Sequence, residues 1–269
     1  MDIVIAIILG IVEGFTEFLP ISSTGHLIVA EKLLGFHDIQ DMFTVVVQLG
    51  AIMAIIWFYW RDLFSKVIGL FRWQAEAIRF WKLLIIATIP AGIAGLALNN
   101  YMDGITKPVV VACTLIAGGI ILWFVDRKPV GRTEQAADIS GISFKRALIV
   151  GVGQCVAIIP GVSRSGATIV TGLATGLNRP TATAFSFYLS IPVMVLASGL
   201  KLAKNGDQLG QLAGGSAALV AGVIAAFITA LISVSWLLKY ISHHNFRPFA
   251  YYRIGAGVVI LLLLAGNVL

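Results

Sequence analysis

The sequence predicts an all-α integral membrane protein built as an inverted-topology repeat, with six transmembrane helices and two re-entrant helix-loop-helix hairpins. Composition is the first observation behind this reading. Of 269 residues, 58% are hydrophobic and only 12% charged, whereas a soluble domain carries about 25% charged residues; mean hydropathy is +0.94. The second observation is a pair of apolar segments that each break at a proline and a hydroxyl-rich turn. The third is that these two segments resemble each other at a constant offset of 141.

The elements follow in order. Segment 3–34 is apolar but interrupted from Pro20 to Gly25. Proline lacks a donor and pushes the preceding residue out of helix, so two half-helices are expected. Full spans follow at about 42–60, 81–100 and 108–125, each long enough for the hydrocarbon core. Segment 144–178 repeats the broken pattern, from Pro160 to Gly166, and spans follow at about 182–201, 216–238 and 248–268. Breaks at membrane depth persist only where protein or a wet cavity surrounds them, so both are read as re-entrant hairpins. Alternating ten-residue strand patterns are absent, which argues against a β-barrel. The N-terminus starts with Asp2 rather than a basic region, so a cleaved signal peptide is not expected.

The offset defines two repeats within one membrane domain, residues 1–126 and 144–269. It pairs Gly10 with Gly151, Glu13 with Gln154, Ser22 with Ser163, Thr24 with Ser165 and Gly25 with Gly166. Three spans per half force the halves to run in opposite senses. The net charge of +6 fits this topology. With loops 61–82, 126–146, 179–181 and 239–253 in the cytoplasm, 14 Lys and Arg lie there, Lys128, Arg132, Arg179 and Arg253 among them. The opposite side holds 4, namely Lys32, Lys107, Lys201 and Lys204, as the positive-inside rule requires. Basic residues spaced between apolar runs give no nucleic-acid footprint. Cys113 and Cys155 sit in apolar runs without metal-ligand spacing and read as small core residues.

Chemistry concentrates at the breaks. Glu13 and Glu17 are one helical turn apart on one face. Two buried carboxylates repel each other and call for a cation or a shifted proton; intramembrane carboxylates are costly and functional by default. Ser22, Ser23 and Thr24 stand where the second half-helix starts, where hydroxyls cap free N–H groups or the helix start binds an anion. Ser163 and Ser165 make the equivalent turn. Between them, Arg164 offers a planar fork that matches phosphate, with Thr168 one turn on. His26, two residues past Thr24, exchanges a proton near neutral pH. Dinucleotide, P-loop and zinc signatures are absent.

At these residues the chain resembles the undecaprenyl pyrophosphate phosphatases of bacterial membranes, also called the bacitracin resistance proteins. Glu13-Gly-Phe-Thr-Glu17-Phe-Leu-Pro-Ile-Ser-Ser23-Thr-Gly-His26 is similar to that family's glutamate-rich motif. Pro160-Gly-Val-Ser163-Arg164-Ser165-Gly-Ala-Thr168 is similar to its Pro-Gly-x-Ser-Arg-Ser motif. The resemblance covers the whole chain without departure at the key positions. It implies hydrolysis of undecaprenyl diphosphate to the monophosphate in the bacterial cytoplasmic membrane, recycling the lipid carrier for peptidoglycan and other envelope polymers. It also implies a divalent cation, Mg²⁺ or Ca²⁺.

The expected roles follow. Glu13, Glu17, Ser23, His26 and Arg164 are catalytic. Ser22, Thr24, Ser163, Arg164, Ser165 and Thr168 bind the substrate phosphates, and Glu13 and Glu17 hold the metal or orient water. Ser23 is either a nucleophile activated by His26 or a phosphate ligand. A phosphoseryl intermediate and direct water attack both stay open. The expected partners are a polyprenyl diphosphate and membrane lipids, with no nucleic acid; a homo-oligomer stays open. Most polar groups belong to the first hairpin, so the site is expected to open to the extracytoplasmic side. The rival reading is a secondary transporter or lipid flippase, because broken helices in an inverted repeat suit transport.

Overall fold

The computed structural model describes residues 3–36, 38, 42–98, 107–127, 137–206 and 215–268. Lys128 and Arg132, two of the charges used for topology, lie outside them. Among the described residues the chain forms eleven α-helices. They are α1 (Ile3–Thr16), α2 (Ser23–Leu33), α3 (Met42–Phe58), α4 (Trp60–Phe71), α5 (Ala75–Leu98), α6 (Pro108–Val125), α7 (Phe144–Gln154), α8 (Arg164–Ala174), α9 (Arg179–Asn205), α10 (Gly215–Ile241) and α11 (Arg247–Ala265). Helices α5, α6, α9, α10 and α11 are long and apolar enough to cross a membrane. Helix α3 with α4 makes a sixth candidate, bent by 74°. The chain is a multi-pass membrane protein.

Both broken segments form helix pairs as expected. Between α1 and α2 the chain turns through Glu17 to Ser22; between α7 and α8 it passes through a 3-10 helix, Cys155–Ile158, and then Pro160 to Ser163. Ser22 has φ 72° and ψ 100°, and Ser163 has φ 72° and ψ 117°. Two non-glycine residues therefore hold the same disfavoured backbone at equivalent positions of the offset, a strain that tends to gather at functional sites.

Packing follows the same pairing. Helix α1 packs on α10 while α7 packs on α5, and α6 lies against α11. The closest approaches use glycine. A methyl on Gly10 would strike the Gly222 carbonyl of α10, and one on Gly151 would strike the Ala87 carbonyl of α5. The largest buried cluster gathers under the first break, where Phe18 meets Phe187 edge-on with ring centroids 5.5 Å apart, beside Val234, Leu237 and Phe246.

The stretch 61–82 is not a loop. Helix α4 occupies it, and α5 starts at Ala75. Trp60, Phe64, Val67 and Phe71 recur at helical spacing and form an exposed apolar stripe, while Gly69 sits against Gln74 and Ala77 of the turn into α5. The interleaved charges Arg61, Asp62 and Lys66 hide this helix from a reading by hydropathy.

Three further expectations change. Arg179 is buried in an ion pair with Asp126 at 2.7 Å, and Arg253 is buried on α11 rather than sitting in a loop. Neither is a loop charge, although the remaining asymmetry keeps its sign. Cys113 is exposed on the surface of α6, and Cys155 is half-buried; both are free thiols.

Candidate active site

The two breaks meet. Leu19 of the first accepts a hydrogen bond from the Ser165 hydroxyl of the second at 2.8 Å. Arg164, the first residue of α8, reaches across to Glu17, with Nη2 to Oε1 at 2.9 Å. The other oxygen of Glu17 accepts from the Ser23 hydroxyl at 2.6 Å. One chain of contacts therefore runs arginine, carboxylate, serine hydroxyl, and it joins the two breaks. The guanidinium also donates to the Ser186 carbonyl at 3.2 Å and lies 5.7 Å from the centroid of the Phe18 ring, within cation–π range.

Glu13 sits one turn before Glu17, 1% exposed, with neither carboxylate oxygen hydrogen-bonded. A buried carboxylate without a partner is costly, so it calls for something outside the chain. Its counterpart by offset, Gln154, is equally buried and also without partners. Hard carboxylate oxygens one turn apart suit Mg²⁺ or Ca²⁺, with water and substrate oxygens completing the shell. Among the described residues no cluster of three or more His, Cys, Asp or Glu side chains forms a cage. The donor set thus fits a cation shared with a substrate and does not fit a closed structural site.

His26 is not the partner of Ser23. Its Nδ1 lies 2.7 Å from the Ser22 carbonyl and its Nε2 2.6 Å from the Tyr252 hydroxyl. A carbonyl only accepts, so Nδ1 carries the proton and, in the neutral ring, Nε2 accepts from Tyr252. The group poised to take the Ser23 proton is Glu17.

The hydroxyls divide. Ser163 caps α8 by accepting from Gly166 N–H at 3.1 Å and lies 3.0 Å from the Ser165 hydroxyl. Thr168 donates to the carbonyls of Arg164 and Ser165 at 3.0 and 3.1 Å and pairs with Ser186 at 2.6 Å. These three hydroxyls are taken up by protein partners. Ser22, by contrast, does not cap α2, so the first N–H groups of that helix lack a side-chain cap and make the better anion cradle. Thr24 is exposed in its first turn.

Sequence reading missed Tyr252, Ser186, Phe18 and Arg253. Only Arg253 carried a signal, being a charge inside an apolar run. Two cavities of about 550 and 570 Å³ flank the α3–α4 bend, both touching Tyr59 and Asp62. No residue of the glutamate–arginine cluster lines either one.

A family profile described as "Bacitracin resistance protein BacA" matches residues 6–259. The chain is 45% identical to "Undecaprenyl-diphosphatase" of Novosphingobium aromaticivorans, covering 98% of both chains. It is 43% identical to "Undecaprenyl-diphosphatase" of Deinococcus deserti, over 100% of this chain and 98% of the relative. It is 48% identical to "Undecaprenyl-diphosphatase 1" of Paraburkholderia xenovorans, over 96% of this chain and 94% of the relative.

Proposed function

This chain belongs to the bacitracin resistance protein BacA family, and we infer that it is an undecaprenyl-diphosphatase. It hydrolyses undecaprenyl diphosphate to undecaprenyl phosphate and inorganic phosphate, and so returns the lipid carrier to envelope synthesis. The relatives it matches are named as phosphatases, and the transporter reading finds no support in them. The observation that carries the mechanism is the Arg164–Glu17–Ser23 chain across the two breaks.

Arg164 neutralises and orients the diphosphate, and the uncapped start of α2 receives oxyanions through its N–H groups. Glu17 takes the proton of the attacking hydroxyl. If Ser23 attacks the terminal phosphorus, the Ser23 O–P bond forms, the anhydride P–O bond breaks, and the lipid monophosphate leaves with its electron pair. Water then cleaves the phosphoserine. If water attacks directly, Glu17 accepts that water's proton and Ser23 holds a phosphate oxygen. Glu13, with both oxygens free of protein partners, would be the principal ligand of a divalent cation, with Glu17 beside it. When bound, the cation offsets the charge of the diphosphate. His26 and Tyr252 form a proton path to the leaving oxygen, and Thr24, exposed in the first turn of α2, stands at the helix start that receives the oxyanions.

The inverted repeat is supported by the matched backbone at Ser22 and Ser163, by the exchange of packing partners between α1 and α7, and by the charge asymmetry. In this topology repeat one is residues 1–126, repeat two is 144–269, and both hairpins are re-entrant. The site opens to the extracytoplasmic side of the cytoplasmic membrane. In a Cys113- and Cys155-free background, a cysteine at Trp73 should label only from the cytoplasm. Cysteines at Lys107 and Thr24 should label only from outside, and a soluble diphosphate should slow the reaction at Thr24. Labelling of Trp73 and Lys107 from one face would refute the inverted repeat; cytoplasmic labelling of Thr24 alone would reverse the opening.

In gradient-free liposomes the protein should release phosphate from a polyprenyl diphosphate. Substrate flux without release would restore the transporter reading.

A further inference from the structure

Arg253 is buried, 1% exposed, near the start of α11, and among the described residues no carboxylate forms an ion pair with it. Every hydrogen bond it makes goes to a backbone carbonyl. Nη1 donates to Pro20 O at 3.1 Å, in the first break. Nη2 donates to Gly161 O at 3.2 Å and Val162 O at 2.8 Å, in the second. Longer contacts of 3.4 Å reach Thr114 O and Leu115 O of α6. One guanidinium therefore ties both breaks to each other and to the helix behind them.

We propose that Arg253 is a positioning residue for the hydrolysis: it holds the two breaks in the register that lets Arg164 reach Glu17, the carboxylate that also accepts from Ser23. Three observations support this. First, the cost of a buried cation is offset here only by carbonyl dipoles, and the three shortest of those contacts go to the two turns that carry the site. A merely structural charge would be better served by a carboxylate, as Arg179 is by Asp126. Second, the peptide is planar. Drawing the Val162 carbonyl toward Arg253 turns the Ser163 N–H the opposite way, at the start of α8. Third, the space for the guanidinium is made by glycine on two sides. A methyl on Gly118 of α6 would strike Nη2, and one on Gly166 would come within 2.7 Å of Nη1. By the offset of 141, Pro20 corresponds to Gly161, so the one guanidinium holds the matching carbonyl of each break. A lighter tie lies beside it: the Thr114 hydroxyl donates to Pro160 O at 2.7 Å. The two proline carbonyls are thus each held from the helix pair α6 and α11, by a neutral hydroxyl in one case and a charged fork in the other.

The inference rests on the two breaks being the hydrolytic site, so the test carries controls for both. Arg253→Lys keeps the charge but not the fork. Gly118→Ala substitutes neither Arg253 nor any site residue but displaces the guanidinium, and in an ordinary helix interior it favours folding. Both variants should lower kcat for a polyprenyl diphosphate by about a hundredfold, the loss expected from a misplacement near 1 Å, with KM within about threefold because the lipid tail still binds. Gly118→Ala should keep the melting temperature of the parent in detergent. Gly118→Ala and folded Arg253→Lys with parental kcat, while Arg164→Lys is inactive, would overturn the role of Arg253 and leave the site standing. If Arg253→Lys does not fold, Gly118→Ala decides alone. Parental kcat in Arg164→Lys would instead remove the site on which the inference rests.

Discussion

Arg164→Ala is expected to lose at least about a hundredfold in turnover, equivalent to about 3 kcal/mol of transition-state stabilisation, as for other preorganised donors in dry sites. Its guanidinium is the cation of the cluster, held at 2.9 Å from Glu17 and over the Phe18 ring at 5.7 Å from its centroid. Truncation removes the proposed phosphate contact and also strands a buried carboxylate. The melting temperature should therefore fall as well, and kcat must be compared at a temperature where both proteins are folded. Arg164→Lys separates the effects. It retains the charge for Glu17 but not the bidentate fork, so stability should largely return while turnover stays low. Parental phosphate release by Arg164→Ala would take Arg164 out of the site.

The carboxylates should separate from each other. Glu17 accepts from Ser23 and pairs with Arg164, so Glu17→Gln should end turnover whatever metal is supplied, since an amide takes no proton. Glu13 has no protein partner for either oxygen. Glu13→Gln should instead raise the concentration of Mg²⁺ or Ca²⁺ needed for half-maximal rate, with partial recovery at high metal. Chelation should stop the parent enzyme, and added cation should restore it. Full activity in excess chelator would assign Glu13 to another task.

Much of this architecture was legible because membrane helices announce themselves. The spans, both broken segments and the offset of 141 followed from hydropathy and proline placement. The matched φ of Ser22 and Ser163 shows that the offset extends to the backbone. What was not legible depends on contacts between distant segments. Ser23 lies three residues from His26, so proximity in sequence pointed to a serine–histidine pair. The turn at Ser22 instead sends the hydroxyl back to Glu17 and the imidazole toward Tyr252, 226 positions away. Arg253 reads as the last charge of loop 239–253 because it stands at the edge of the apolar run 248–268; only the fold shows that both breaks close around it. Helix α4 was read as a loop because its charges lower the mean hydropathy, although its apolar stripe at helical spacing was there to be seen.

The most direct measurement is the product balance of the purified protein on a polyprenyl diphosphate with Mg²⁺ or Ca²⁺. The proposed mechanism has the Glu17–Ser23 site attack the terminal phosphorus and expel a lipid monophosphate. One orthophosphate should therefore appear for each lipid monophosphate, with no free polyprenol and no inorganic pyrophosphate, and Glu17→Gln should yield neither product. Release of inorganic pyrophosphate with the free alcohol, or no release by folded protein, would contradict the account.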